Sequence, residues 1–311
     1  MTPAPFHHDI AGGPEDAQAH WLTTADKLTI RAAHWRVDGA KGTVLLFPGR
    51  TEFIEKYGLA AGELAVRGFA TVAVDWRGQG LADRLLNDRA IGHVNRFQDY
   101  QLDVAATVKY AQDQGMPAPF FLLGHSMGGC IGLRALNEGL DVKAAAFSAP
   151  MWGVGLAAHI RTTAWAVSTI SKPLGFSDIL TPGQSRENYL LRTTLEENGL
   201  TNDATMFGFL KRQITTHPEL GIAGPSLRWL NESLNEMKTL AEAPSPDVPC
   251  ITYLGSDEEI VDPVRIRSRM AAWPNGTLVE IPTGRHEMLM DAPAMRDPIY
   301  DGIAALFDSA I

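Results

Sequence analysis

The sequence predicts an α/β fold in which a mostly parallel, doubly wound sheet carries an inserted helical cap. Short continuous apolar runs, as expected for strands buried on both faces, alternate with helical patterns that end near a glycine. Such alternation favours a parallel sheet. It stops after Pro150 and resumes near Pro249, and the segment between has helical periodicity. We therefore expect one core formed by residues 1–150 and 248–311, with a cap formed by residues 151–247.

The expected central strands of this sheet are apolar runs that each end in a polar or glycine-rich turn. They cover residues 43–47, 70–74, 120–123, 144–147, 251–254 and 277–281. Residues 21–37 alternate enough to suggest two antiparallel strands, so the sheet should be mixed. Helices are expected at 56–67, 99–113 and 127–138. In such a sheet, reactive groups gather at the carboxyl ends of the strands.

The aromatic residues of the predicted cap, among them Trp152, Trp165 and Phe207, have two interpretations. Aromatic side chains on helices are more often buried, and this segment could supply additional core helices. Alternatively, the rings could touch a membrane surface transiently. The sequence leaves both options open.

Composition and charge exclude several classes of protein. Hydrophobic residues make up 45% and charged residues 20% of the 311 residues, so a large core can be buried. The formal net charge of -9 argues against nucleic-acid partners, because affinity for phosphates rests on clustered Lys and Arg. The longest apolar stretch, residues 151–170, is interrupted by His159 and Arg161, so no membrane span is expected.

The N-terminal residues and the cysteines bear on location. Residues 1–16 lack the basic and apolar regions of a secretory signal, and this tail is expected to be frayed. Cys130 and Cys250 lack a metal-ligand spacing and are interpreted as buried thiols in a reducing compartment. A cytoplasmic location is expected, with the periphery of the inner membrane as a further option. The sequence does not indicate an oligomeric state.

The strongest local signal is the run Leu-Gly-His-Ser-Met-Gly-Gly at 123–129, which lies between a predicted strand and a predicted helix. This is the context of a nucleophile elbow. Gly124 and Gly128 leave room for a sharp turn that strains Ser126 and exposes its hydroxyl at a helix N-terminus. Ser126 is therefore the expected nucleophile, and its neighbour His125 is interpreted as a structural side chain.

A serine hydroxyl is a weak nucleophile, so it needs a base and a third group that orients the base. The expected chain order is serine, acid, histidine. His286 follows the last predicted strand in a short loop, and no other histidine follows that strand. His286 is therefore the expected base.

The acid should follow the predicted strand at 251–254. The loop there offers four carboxylates, namely Asp257, Glu258, Glu259 and Asp262. Asp262 precedes a proline and a helical run, which is the signature of a helix N-cap. Glu258 is preferred, with Asp257 as the alternative.

Two backbone N–H groups are expected to bind the oxyanion of the tetrahedral intermediate. One belongs to Met127, and the other to Arg50 in the loop after the strand at 43–47, where Gly49 lets the backbone approach. The alternative is an ordinary turn at the end of a strand. The glycine-rich turn at 75–80 lacks the spacing of a dinucleotide or phosphate loop and is interpreted as scaffold.

Together with the elbow, several motifs resemble the monoglyceride lipase and lysophospholipase branch of the α/β-hydrolases. They are Phe-Pro-Gly-Arg-Thr-Glu at 47–52 with Lys56-Tyr57 after it, Asp-Trp-Arg-Gly-Gln-Gly at 75–80, and Gly-His-Val at 92–94 with Phe97 and Asp99-Tyr100 following. In the cap, residues 218–226 followed by Trp229 are similar to a stretch of the bacterial lysophospholipase group. The resemblance extends from about Trp21 to the end of the chain.

The resemblance implies an α/β-hydrolase fold and an oxyanion loop of Pro-Gly-Arg type whose donor is Arg50. It also implies that the acid stands three residues after the strand-end Gly255, which is Glu258. Many relatives have aspartate there, so Asp257 stays an alternative. The identity of the substrate does not follow, because cap residues determine it and vary among enzymes with the same triad.

The residues and the resemblance together predict a serine hydrolase that cleaves carboxylic esters through an acyl-enzyme. Lipid monoesters, lysophospholipids or monoacylglycerols, are the expected substrates, and no metal or cofactor is expected. The alternatives are another chemistry with the same residues, such as a small-ester esterase, lactonase, thioesterase, peptidase or acyltransferase, and a catalytically silent module that binds a ligand.

Overall fold

A single mixed sheet forms the centre of the molecule. The computed structural model describes residues 1–155 and 158–311, so residues 156 and 157 of the predicted cap lie outside it. The strands of the described part are β1 (Thr2–Pro3), β2 (Gln18–Thr23), β3 (Thr29–Trp35), β4 (Thr43–Phe47), β5 (Ala70–Asp75), β6 (Phe120–His125), β7 (Ala145–Ser148), β8 (Cys250–Gly255) and β9 (Gly276–Ile281). Their order across the sheet is β1-β2-β3-β5-β4-β6-β7-β8-β9. The pairs from β5 to β9 are parallel and those among β1, β2, β3 and β5 antiparallel, which confirms the predicted mixed α/β sheet.

The central strands are buried on both faces, which explains their continuous apolar sequences. Every residue of β4, β5 and β7 is buried, whereas the edge strand β9 is only partly covered. Parallel strands between two layers of helices have this pattern. The ends of the predicted central strands differ from the observed ones by no more than two residues. Cys130 and Cys250 are free and buried, and burial raises the pKa of Cys250 to about 12.

Helices cover both faces of the sheet and fill the connection between β7 and β8. They are α1 (His8–Ala11), α2 (Gly58–Ala65), α3 (Tyr100–Asp113), α4 (Met127–Asn137), α5 (Ala158–Ser171), α6 (Tyr189–Arg192), α7 (Ala204–Thr216), α8 (Leu227–Glu242), α9 (Pro263–Ala271) and α10 (Pro293–Ser309). The helix predicted at 56–67 is instead a 3₁₀ turn, Ile54–Tyr57, that continues into α2. The reason is tertiary, because the N–H of Ile54 donates to the buried carboxylate of Asp75 and this bond determines where the turn begins.

The N-terminal segment is not frayed, contrary to the expectation from its composition. Strand β1 pairs with β2 at the edge of the sheet. The buried guanidinium of Arg31 donates to the carbonyl of Pro5 at 2.8 Å, and the N–H of His7 donates to Glu55 at 3.1 Å. A buried cation needs acceptors on every side, and the tail supplies one of them to Arg31.

Helices α5 to α8 form the insertion, and α8 packs directly on the core. Trp229 and Leu234 of α8 belong to the same hydrophobic cluster as the sheet. Trp152 and Phe207 are buried, as is usual for aromatic side chains, and Trp165 is half-buried. The exposed apolar residues of this region are aliphatic, namely Ile160, Ile170, Leu174 and Ile179. No helix in the described ranges is both long and apolar enough to cross a membrane.

Candidate active site

Ser126 occupies a strained turn between β6 and α4. Its backbone angles are φ 49° and ψ −118°, a region that side-chain-bearing residues rarely adopt. The turn is held on both sides, because the N–H of Ser126 donates to Ser148 O at 3.1 Å and its carbonyl accepts from Met151 N at 2.8 Å. The side chain therefore lies at the N-terminus of α4, where backbone dipoles favour negative charge.

Gly128 explains how α4 approaches the neighbouring strand. A Cβ atom at this position would lie 1.9 Å from the carbonyl oxygen of Phe47, the last residue of β4. Only glycine permits this contact. Met127 is the first residue of α4, so its N–H has no partner within the helix. The close approach brings that N–H beside the loop that follows β4.

The turn at 75–80 holds the loop of Arg50. The side-chain amide of Gln79 donates to Gly49 O at 3.0 Å, and its oxygen accepts from Thr51 N at 3.0 Å. The two bonds clamp the residues on either side of Arg50, whose own N–H meets no acceptor among the described residues. The turn thus serves as a scaffold, as expected, and the segment that it supports is the loop of Arg50.

The side chain of Arg50 points toward the insertion. Its guanidinium donates to Ala223 O and lies 5.1 Å from the ring centre of Trp229, in the geometry of a cation–π contact. Burial lowers the pKa of Arg50 to about 10. Arg50 therefore links the loop after β4 to the inserted helices.

His286 and Glu258 meet at the ends of the adjacent parallel strands β8 and β9. The His286 Nδ1 atom lies 2.8 Å from Glu258 Oε2, and both side chains are buried. Glu258 Oε1 accepts from the N–H groups of Ile260 and Val261 at 2.6 and 3.1 Å. The carboxylate is therefore fixed on one oxygen by backbone and directed at the histidine with the other.

The other carboxylates of this loop face elsewhere. Asp257 accepts a hydrogen bond from Ser256 Oγ and is exposed. Asp262 accepts from Val264 N and Arg265 N, and so caps α9 as its sequence context predicts. Of the carboxylates considered, the structure brings Glu258 against His286.

The two partners shift each other's pKa in opposite directions. Burial on its own would lower the pKa of His286, but the charge and hydrogen bond of Glu258, followed by Glu287 and Glu52, raise it above the usual histidine value. Burial on its own would raise the pKa of Glu258, but His286 and the two backbone N–H groups hold it below the usual range. The pair is thus built to stabilise an imidazolium next to a carboxylate.

A buried polar cluster that the sequence did not predict lies beside these residues. The ammonium of Lys56 lies between the carboxylates of Glu52 and Glu287. The distance from Lys56 Nζ to Glu287 Oε1 is 2.6 Å. The ring of His125 lies beside both carboxylates. Glu52, His125 and Glu287 have the spacing of a metal site, but the ammonium of Lys56 binds both carboxylates. Only the resemblance pointed to Lys56, without a function.

Comparison with known proteins gives this geometry a context. The family model described as "Serine aminopeptidase, S33" matches residues 38–293. Lysophospholipase L2 of Escherichia coli K12 is 29% identical over 300 residues, which cover 92% of this chain and 86% of that protein. Phospholipase YtpA of Bacillus subtilis is 24% identical over 249 residues, which cover 78% of this chain and 84% of that protein.

A solved structure has the same fold. A soluble variant of the monoglyceride lipase from Saccharomyces cerevisiae superposes with a TM-score of 0.75 at 19% identity, covering 100% of this chain and 99% of that one. At this identity the likeness establishes the architecture, which is the α/β-hydrolase fold. Because the family model spans most of the chain, the protein is a serine hydrolase and belongs to the serine aminopeptidase S33 family.

Proposed function

We propose that this enzyme hydrolyses lipid monoesters, such as lysophospholipids or monoacylglycerols, through an acyl-enzyme on Ser126. The observation that carries the proposal is the buried His286–Glu258 pair at the same edge of the sheet as the strained Ser126. We further propose that residues 151–247 act as a cap that selects the substrate. The proposed chemistry needs only groups of the chain itself.

Acylation begins with Ser126. Because Nδ1–H of His286 donates to Glu258, the lone pair of Nε2 is available to accept a proton. Ser126 Oγ attacks the carbonyl carbon of the ester, and its proton passes to Nε2. The imidazolium is stabilised by Glu258, and the oxyanion accepts hydrogen bonds from the N–H groups of Arg50 and Met127.

The intermediate then collapses. The bond between the carbonyl carbon and the alkoxy oxygen breaks, and the leaving alcohol takes the proton from Nε2 of His286. In deacylation a water molecule gives a proton to the same nitrogen and attacks the acyl carbon. The proton returns to Ser126 Oγ as the fatty acid leaves, so the enzyme is regenerated.

The substrate class is supported by the relatives named lysophospholipase and monoglyceride lipase. The family description raises a second candidate, cleavage of an amino-terminal peptide bond. Such a reaction needs an acidic side chain free to bind the substrate ammonium. The buried carboxylates near the elbow, Glu52 and Glu287, already bind Lys56. This favours ester hydrolysis over cleavage of a peptide bond.

The test compares the purified enzyme with Ser126→Ala on monoacylglycerol, lysophosphatidylcholine, a chain-length series of p-nitrophenyl esters and an aminoacyl p-nitroanilide. We expect fatty-acid release from the lipids and a loss of about 10 000-fold or more in the variant. Activity confined to the anilide would establish the peptidase instead. If neither form acts on any substrate, labelling of Ser126 by a fluorophosphonate separates another hydrolase from a silent binding module.

A further inference from the structure

Four ionisable side chains are buried together next to the proposed catalytic groups. Glu52, Lys56, His125 and Glu287 each expose less than a tenth of their surface. Taking charges out of water is costly, and buried ion pairs often stabilise a protein no more than apolar residues of the same volume. Stability alone therefore does not account for this cluster, which we call the buried bridge.

One end of the buried bridge fixes the loop that carries Arg50. Glu52 Oε1 binds the ammonium of Lys56, and Glu52 Oε2 accepts hydrogen bonds from Gly49 N and Tyr57 Oη. Glu52 thus holds the N–H of Gly49, the residue that precedes Arg50. This contact restricts the positions that the Arg50 N–H can take.

The other end fixes the loop that carries His286. Glu287 is the next residue in the chain, and its Oε1 atom accepts a hydrogen bond from Lys56 Nζ at 2.6 Å. Lys56 and Glu287 are separated by 231 positions, so this bond joins two loops that are far apart in sequence. The negative charge of Glu287 also lies close enough to help raise the pKa of His286.

His125 completes the bridge from the side of the elbow. Its Nδ1 lies 3.1 Å from the carbonyl oxygen of Ser148, and its Nε2 lies 3.5 Å from a carboxylate oxygen of both Glu52 and Glu287. Both nitrogens therefore face acceptors. The ring of His125 is 4.8 Å from that of His286.

From these contacts we infer that the buried bridge is a positioning device that holds the oxyanion loop, the elbow and the loop of His286 in one fixed relation. The inference rests on the roles proposed above for Arg50, Ser126 and His286. In this proposal the residues of the buried bridge do not touch the reacting atoms. They act through the groups that do, and the device works as one unit because Lys56 joins its two ends.

The decisive experiment is a double-mutant cycle with Glu52→Gln and Glu287→Gln. We expect each variant to lower kcat for p-nitrophenyl ester hydrolysis by about 10- to 100-fold with little change in KM, because small displacements of positioned groups are this costly. The double variant should lose little more than the more severe single variant. A double variant that loses the product of the two single effects would show independent roles and overturn the inference.

The pH profile supplies a readout that a purely structural role would not move. Neutral His286 is the active form, so kcat/KM rises with pH through its pKa. The carboxylates that face His286 are Glu258, Glu287 and Glu52, the ring of His125 lies beside it, and Lys56 lies behind the two bridge carboxylates. Glu287→Gln removes a negative charge and should move the acid limb to lower pH. Lys56→Met removes a positive charge and should move it to higher pH.

Two controls separate positioning from folding. Asp103→Asn breaks an equally buried ion pair with Arg77 and should lower thermal stability while leaving the pH profile unchanged. Lys56→Arg keeps the charge and should restore part of the activity lost in Lys56→Met. An acid limb that does not move in Glu287→Gln would overturn the inference. If Ser126→Ala stays active, the proposed function fails instead, so the two failures are distinguishable.

Discussion

The strand ends of the core and the inserted helices hold their charged side chains differently. At the strand ends, Glu258 and Glu287 are buried, and each has a partner within 3 Å. In the insertion, the ion pairs of Arg186 with Asp88 and of Arg228 with Asp178 each have an exposed side chain, and the pair with a buried carboxylate, Glu236 with Arg134, joins α8 to the core helix α4. Surface pairs of this kind contribute little to stability or geometry, whereas buried ones allow few alternative arrangements.

This difference suits the strand ends to positioning the catalytic groups and the insertion to selecting the substrate. Chemistry that depends on atoms placed within a few tenths of an ångström belongs at the strand ends, where burial fixes each group. The insertion reaches that region through contacts such as those of Arg50 with Ala223 and Trp229. Changes at the strand ends should therefore abolish activity on every substrate, whereas changes in the insertion should alter activity on some substrates more than others.

Among variants that test this difference between the two regions, Glu258→Gln should cause the largest loss of activity. Loss of the negative charge removes the partner of the imidazolium and frees the orientation of His286, so kcat should fall by about 10 000-fold on all esters. Steady-state kinetics on short and long p-nitrophenyl esters measures this. The control is Asp257→Asn in the same loop, which should retain normal activity because Asp257 is exposed and faces Ser256. The reverse pattern would make Asp257 the acid.

The pH dependence of stability has a defined sign at this pair. The pKa of Glu258 is depressed in the folded protein, so its contribution to stability is present above the unfolded carboxyl pKa and is lost as pH falls through the folded value. The pKa of His286 is raised, so its contribution is present below the unfolded histidine pKa and is lost as pH rises through the folded value. Together the two groups stabilise the folded state most strongly at pH values between the unfolded carboxyl pKa and the unfolded histidine pKa.

A second comparison uses one glycine from each region. Gly128→Ala places a Cβ against Phe47 O in the core, so α4 must shift and carry the N–H of Met127 with it. We expect kcat to fall by about 100- to 1000-fold, the effect of losing one oxyanion donor. Rates of fluorophosphonate labelling and of ester hydrolysis should fall together, since both reactions use the same oxyanion site.

Gly208 is the matched position in the insertion. It lies within α7, and a Cβ there meets no atom within 4 Å. Gly208→Ala should raise stability by about 0.5–1 kcal/mol, because alanine is the better helix former. Thermal unfolding measures this, and activity should be unchanged. A loss of activity in Gly208→Ala similar to that in Gly128→Ala would remove the distinction between the two regions.

Local patterns in the sequence were sufficient to predict the central strands and the proposed catalytic groups. Strands β4 to β8 are apolar runs that end in turns, and burial on both faces leaves that signal in any single sequence. Ser126 is found from its glycines, and Glu258 and His286 from their places after β8 and β9. Asp262 was separated from the other carboxylates because a helix cap has its own pattern with Pro263.

The features that were missed depend on contacts between distant residues. Nothing near Lys56 in the sequence indicates that its partner is Glu287, 231 positions away. The N-terminal strand was missed because only the buried charge of Arg31, which donates a hydrogen bond to the carbonyl of Pro5 in the tail, shows why that segment is ordered. In both cases a buried cation determines the local structure, and its partners become visible only when the fold is known.

The smallest loss of activity should come from Trp229→Leu in α8. This change removes the aromatic face beside the guanidinium of Arg50, an interaction worth about 1 kcal/mol or roughly fivefold in an equilibrium. If the insertion selects the substrate, KM should rise several-fold for a long-chain ester and less for p-nitrophenyl acetate, whose acyl group is shorter. Trp229→Phe is the control, because it keeps the aromatic face and loses only the hydrogen bond to Tyr100 Oη. Equal losses on both esters in Trp229→Leu would mean that Trp229 acts through the oxyanion loop, and the insertion would then share in the positioning that we assign to the strand ends.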